Sequence, residues 1–190
     1  MNAHVKDDPG KSGLGSGRGV GRPSARVPKQ AYLGLGSNIE PAVNISGALE
    51  MLGRHLTIEK VAQTWETAAV GSHGPNFLNT AASVQTQLPP ELLKNLILRR
   101  IERELGRVRT ANKNAPRTID LDILVYEGQV LDPKVWTYAF VAVPLAELLP
   151  ELRNPETGET LEQAAKRLAK GARLTSRPDI PFGITTGRTG

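Results

Sequence analysis

A chain of 190 residues with 39% hydrophobic content has room for one domain of ordinary size with a sizeable core. It has no apolar run of 18 residues and no cysteine, which excludes a transmembrane helix, a disulfide framework, a cysteine-based zinc site and a thiol nucleophile. The net charge of +5 sits in the tails: residues 1–30 carry six Lys/Arg against two Asp, and residues 171–190 three Arg against one Asp. The body between is near neutral, so the basic balance does not argue for a nucleic-acid-binding domain.

Residues 1–29 are rich in Gly, Ser, Pro and charge. Such a segment buries too little apolar surface to offset the entropy of ordering, which predicts a disordered basic tail. With no secretory pattern in it, a cytoplasmic protein is expected. The domain is predicted over 30–170, and a loose tail over 171–190.

Within the domain, AYLGLGSN (31–38) alternates into a glycine-rich turn and reads as a strand. Pro41 opens a helix over 41–56 with Val43, Ile45, Leu49, Leu52 and Leu56 at helical spacing. Residues 57–70 alternate as a strand, GSHGPN is a loop, and 77–88 is the next strand. Residues 89–105 form the clearest helix. It has prolines at its start, Leu92, Leu93, Leu96, Ile97, Ile101 and Leu105 on one side, and Gly106 at its end. A basic loop, 107–117, leads into a strand at 118–128. A helix follows Pro144, and another spans 159–170. The order β-α-β-β-α-β predicts an α+β, ferredoxin-like core. Its antiparallel sheet carries helices on one face and leaves the other free for a site.

TIDLDILVYEG places Asp120 and Asp122 two apart on a strand, hence on one face, roughly 7 Å apart at the Cα atoms. Two carboxylates held close repel unless a cation joins them, and Mg²⁺ takes a few carboxylates together with phosphate oxygens and water. The same pair also reads as solvated strand residues bridged by Arg117. Arg99, Arg100, Arg103, Arg107, Arg109, Lys113 and Arg117 form a cationic run before it. That rim suits a polyphosphate, though a solvated helix face would look alike. GLGSN lacks the pattern of a phosphate-cradling loop and reads as a tight turn with close packing. Phe77 and Asn79 share a strand face, an aromatic and an amide suited to a flat heterocycle, although Phe is more often core. No Ser-His-Asp or Cys-His arrangement is visible.

GLGSN after the first strand, T-x-x-V-G…F-L-N, G-R-V-R after the second long helix, and A-P-R-T-I-D-L-D-I-L together resemble the 6-hydroxymethyl-7,8-dihydropterin pyrophosphokinases of folate biosynthesis. The resemblance covers about residues 31–165. It implies attack of the pterin's hydroxymethyl oxygen on the β-phosphorus of ATP, with AMP leaving and two Mg²⁺ on the triphosphate. It implies that Asp120 and Asp122 hold metal and that Arg107 and Arg117 bind phosphate, with Glu102 and Arg109 on the nucleotide side. Phe77 and Phe140 would sandwich the pterin, contacted also by Asn79, Thr67 and Val70. ATP and the pterin are then the partners of a monomer, with neither membrane nor nucleic acid expected. The sequence departs from the family before Phe140: VLDPKVWTYAFVAVPL is several residues short, with Asp132 where a His belongs and Tyr138 where an Arg belongs. Two alternatives follow, a catalytically impaired pterin- or nucleotide-binding relative and a nucleic-acid-binding module on the same fold.

Overall fold

The computed structural model describes residue 1 and residues 27–69, 74–108 and 115–180. Strand β1 (Lys29–Ser37) lies at the centre of an antiparallel sheet, with β4 (Phe77–Thr86) on one side and β5 (Asp120–Tyr126) on the other. Beyond β4 come β2 (Thr57–Val61) and β3 (Trp65–Thr67), which pair with successive stretches of it. The single strand expected over 57–70 is therefore two. The break at Ala62–Thr64 keeps one bond to the sheet, Ala62 N–H to Ala81 O at 2.8 Å, and Thr80 Oγ1 donates to Ala62 O at 2.8 Å. A short β6 (Gln129–Val130) extends β5.

One face of the sheet is closed by α1 (Pro41–Gly53) and by a helical stretch made of α2 (Pro90–Leu92), a π-helical segment (Leu93–Leu98) and α3 (Arg99–Glu104). Leu33 and Leu35 from β1, Val84 from β4 and Leu121 from β5 meet Ile45, Leu52, Leu93, Leu98 and Ile101 there in one apolar cluster. Leu92 and Leu96, expected on the buried stripe, are exposed. The i→i+5 bonding of the π segment advances the register by a residue, and Leu98 comes inward in their place.

The opposite face is not bare, a correction to the arrangement expected from the sequence. Helices α4 (Ala139–Leu148) and α5 (Leu161–Ala169) cover part of it, packing Val141, Leu145, Leu161 and Ala165 against Ala81, Leu124 and Val125. Sequence AFVAVPLAEL is apolar nearly all round, as a helix with neighbours on several sides must be. It begins five residues ahead of Pro144 rather than after it; the proline costs one backbone bond near the start. Helix α5 is capped by the reciprocal pair Thr160 and Gln163.

The C-terminal stretch departs from expectation too. Residues 174–176 form β7 (Leu174–Ser176), paired with β3, and Ile180 packs against the main core, so the stretch 174–180 is not a loose tail.

Candidate active site

Strand register builds the site. Asp120 lies opposite Gly36 and Asp122 opposite Gly34 in the β1–β5 pair, while Asn79 on β4 faces Gly36 from the other side. The alternation of L-G-L-G sends Leu33 and Leu35 into the core and turns both glycines to the other face. Where side chains would stand, the sheet has a floor of backbone. A Cβ at Gly36 would come within 3.1 Å of Asn79 Oδ1, and one at Gly34 within 3.2 Å of Leu124. The cavity over this floor has a volume of about 460 Å³, a size suited to a small ligand. Asp120, Asp122, Asp132 and Lys134 line it, and so do Thr67, Phe77, Asn79, Arg117, Tyr138 and Phe140.

Ser37 and Asn38 then tie three segments together. Ser37 Oγ donates to Thr118 O. Asn38 accepts from the backbone N–H of Arg117 at 2.7 Å and donates from Nδ2 to Pro75 O at 3.3 Å. GLGSN is thus a floor and a knot, with the close packing expected of it.

Electrostatics divide the two aspartates. Asp120 Oδ1 is 2.6 Å from Arg107 Nη1, and Oδ2 is 2.7 Å from Arg117 Nη1. Burial alone would raise its pKa, but the two guanidinium groups outweigh burial and hold it below the ordinary carboxylate value. Asp122 is held by lysines: Lys94 Nζ lies 2.7 Å from Oδ1 and Lys134 Nζ 3.7 Å from Oδ2. Lys134 Nζ also sits 3.3 Å from Asp132, whose side chain accepts from Lys134 N–H at 3.0 Å in the turn Pro133–Trp136. Burial pulls the Lys134 pKa down, but Asp122 and Asp132 outweigh it and raise the value above the ordinary one.

Not every expected residue reaches the cavity. Glu102 is 2% exposed, accepts the backbone N–H of Leu121 at 3.1 Å and lies 3.3 Å from Arg107. Arg107 donates to Ile119 O at 2.6 Å and stands behind Asp120 rather than in the cavity wall. Arg99, Arg100 and Arg103 are exposed on α3, so the helical part of the cationic rim is a solvated face. Val70 and Arg109 lie outside the described residues. Phe77 and Phe140 both line the cavity; Arg117 Cζ sits 5.8 Å from the Phe77 ring centroid, and the Tyr138 ring lies 5.2 Å from that of Phe140. Thr67 Oγ1 accepts from Asn79 Nδ2 at 2.9 Å, which leaves Asn79 Oδ1 and one amide proton for a ligand.

Two residues that the sequence reading passed over are Lys94 and Lys134. Lys134 follows Asp-Pro, a helix-start signal that placed it near Asp132. For Lys94, only its position two turns ahead of Glu102 on the same helix hinted at a neighbour on β5.

Among the described residues no group of three or more His, Cys, Asp or Glu could hold a metal alone. Two carboxylates on one wall of a cavity still fit a cation that arrives with its own phosphate and water ligands.

The chain is similar to known proteins over most of its length. A family model for 7,8-dihydro-6-hydroxymethylpterin-pyrophosphokinase matches residues 32–150. The 2-amino-4-hydroxy-6-hydroxymethyldihydropteridine pyrophosphokinase of Methylorubrum extorquens is 42% identical over 151 residues, 73% of this chain and 93% of the relative. The enzyme of the same name from Synechocystis is 32% identical over 165 residues, 80% and 83% of the two chains. Among solved structures, Plasmodium falciparum HPPK-DHPS A437G with STZ-DHP superposes with a TM-score of 0.62 at 12% identity. That match covers 76% of this chain but only 46% of the longer one, and at such identity it speaks to the fold.

Proposed function

The chain belongs to the 7,8-dihydro-6-hydroxymethylpterin-pyrophosphokinase family, and from that premise we propose how its cavity carries out the family's reaction. The enzyme transfers pyrophosphate from ATP to 6-hydroxymethyl-7,8-dihydropterin in folate biosynthesis, an ATP-dependent diphosphotransfer. The observation that carries the assignment of parts is the shared floor. Asp120 and Asp122 stand on one side of Gly34 and Gly36, and Phe77 and Asn79 on the other, around a single cavity.

In this reading the pterin ring lies between Phe77 and Phe140, with its polar edge on Asn79 and with Thr67 and Val70 beside it. Phe rings give the heterocycle a stacking surface, and the fixed amide supplies a matching acceptor and donor. ATP lies with its phosphates along Asp120, Asp122 and Arg117. Two Mg²⁺ held by Asp120 and Asp122 would supply neutralisation of the triphosphate charge. Arg117 is placed to contact the transferring group directly. Arg107 acts by keeping Asp120 ionised and oriented, while Glu102 fixes Arg107 and the edge of β5; Arg109 is assigned to the nucleotide side. The hydroxymethyl oxygen forms its bond to the β-phosphorus as the bond from the β-phosphorus to the α–β bridging oxygen breaks, and AMP departs. Such transfer is served chiefly by positioning and charge stabilisation.

Lys134 weakens the case for a catalytically impaired relative. The shortened 128–140 segment lacks the expected His and Arg, yet its 3₁₀ turn delivers a cation to the same cavity. The strand order β5-β1-β4-β3, with β2 also on β4, supports reading the core as ferredoxin-like. Carboxylates on the exposed face of β5 speak against nucleic acid as the partner. No described helix is long and apolar enough to cross a membrane, ATP as donor suits the cytoplasm, and a cavity completed by one chain suits a monomer. Purified protein should release AMP from ATP only when the hydroxymethyldihydropterin is present; release of none would favour the binding-only reading.

A further inference from the structure

Residues 174–180 lie beyond the stretch that matches the family model, yet they are built onto the strand that carries Thr67. Leu174, Thr175 and Ser176 pair with Thr67, Glu66 and Trp65. The Arg177 backbone N–H donates to Thr64 O at 2.9 Å, and Thr64 Oγ1 donates to Ile180 O at 3.2 Å. The Arg177 side chain is braced by Asp179, with Nε 2.9 Å from Oδ1 and Nη2 2.8 Å from Oδ2. Its remaining nitrogen, Nη1, bonds Glu66 Oε2. The other oxygen of Glu66 accepts from Asn76 Nδ2 at 2.8 Å.

The chain Asp179–Arg177–Glu66–Asn76 therefore ends on the residues adjoining Thr67 and Phe77, which face each other in the β3–β4 register and both line the cavity. Ion pairs this exposed contribute little to global stability, so the arrangement is better explained by geometry than by fold energy. The guanidinium fork is suited to that task because it meets two carboxylates at fixed angles. Both oxygens of Glu66 are thereby engaged, one by Asn76 and the other by Arg177.

We propose that Arg177 is a positioning residue for the pterin subsite: it fixes Glu66, Glu66 fixes Asn76, and the pair sets the spacing between the Thr67 and Phe77 walls. The inference rests on the pterin reading of the cavity. Its test compares wild type with Arg177→Met, Arg177→Lys and Asn76→Ala. Pterin binding would be followed by fluorescence without nucleotide, steady-state KM measured for each substrate, and Tm recorded. Arg177→Met and Asn76→Ala should each raise the pterin Kd and KM roughly tenfold, as misplacement of a binding wall does. KM for ATP and kcat should stay within about twofold and Tm nearly unchanged, and Arg177→Lys, which keeps the charge but not the fork, should recover only a minor part of the loss. Pterin binding by Arg177→Met equal to that of wild type overturns the inference alone. So does a parallel rise in both KM values with a fall in Tm, since that is the mark of general loosening. A wild-type protein that binds no pterin overturns the subsite assignment, and this inference with it.

Discussion

Lys94 Nζ lies 2.7 Å from Asp122 Oδ1 and 2.6 Å from the carbonyl oxygen of Leu121, so a helix on one face of the sheet reaches round the free edge of β5 to a carboxylate on the other. The D-x-D pair thus carries four counter-charges of its own: Arg107 and Arg117 on Asp120, Lys94 and Lys134 on Asp122. Lys94 competes with any divalent ion for Oδ1. Both groups are partly exposed, at 26% and 34%, so the competition amounts to about 1 kcal/mol at most. Lys94→Met should therefore tighten Mn²⁺ binding to the nucleotide-free protein about threefold to fivefold, read by electron paramagnetic resonance. Weaker binding would instead make Lys94 a support that orients Asp122.

The two glycines of the floor should separate function from stability. At Gly36 a methyl group would stand 3.1 Å from Asn79 Oδ1, within the cavity. Gly36→Ala should raise KM for the pterin about tenfold or more, while strand stability gains slightly from the lost backbone freedom. At Gly34 the methyl group would press on Leu124, which is 2% exposed and packed beneath α4. Gly34→Ala should cost about 1–3 kcal/mol by overpacking, seen in denaturant unfolding. Equal effects of the two substitutions on KM would contradict this division of the floor.

Asp120 gives the site its pH signature. Its folded-state pKa is depressed, so the stability it contributes is fully present above the unfolded value of about 3.9 and is lost as pH falls through the folded value. Arg117→Met removes one of the two charges that outweigh burial, so the Asp120 pKa should rise. The loss of stability on acidification should still begin near the unfolded value, but it should be smaller and complete at a higher pH than in wild type. A carboxyl ¹³C titration of Asp120 would show it directly, and an unchanged midpoint would mean that Arg107 alone sets the value.

Much of this site was legible because strand periodicity is strict. Asp120 and Asp122 had to share a face, and Phe77 and Asn79 likewise, whatever the fold around them. Motif order then brought the two faces into one protein. Lys94 was hidden because its contact depends on how a π segment rotates the helix and on the outer edge of β5 being open at Leu121, where β6 does not reach, neither of which has a one-residue signal. The docking of residues 174–180 was hidden for another reason. Three residues of strand and a turn between a basic residue and Pro-Asp look like any polar tail until β3 offers an unpaired edge. Pro144 marks a helix start in the sequence, yet α4 begins at Ala139, because packing on both sides outweighs one lost backbone bond.

The two aspartates should fail in different ways when removed. Asp122 is paired with lysines that can turn to solvent or phosphate, so Asp122→Ala should fold with stability within about 1 kcal/mol of wild type. It should nonetheless abolish magnesium-dependent ATP binding, measured calorimetrically with and without chelator. Asp120 neutralises Arg107, which is only 11% exposed. Asp120→Ala takes away the nearer of its two carboxylates and leaves Glu102 at 3.3 Å, so it should cost about 1–3 kcal/mol of stability in addition to the loss of nucleotide binding. Because Arg107 also faces the buried Glu102 at 3.3 Å, the double variant Asp120→Ala/Arg107→Met should be less stable than Asp120→Ala and recover none of the binding. Full ATP affinity in Asp122→Ala, with or without magnesium, would remove the metal-bridged nucleotide from this cavity and leave the carboxylate pair a purely structural feature of β5.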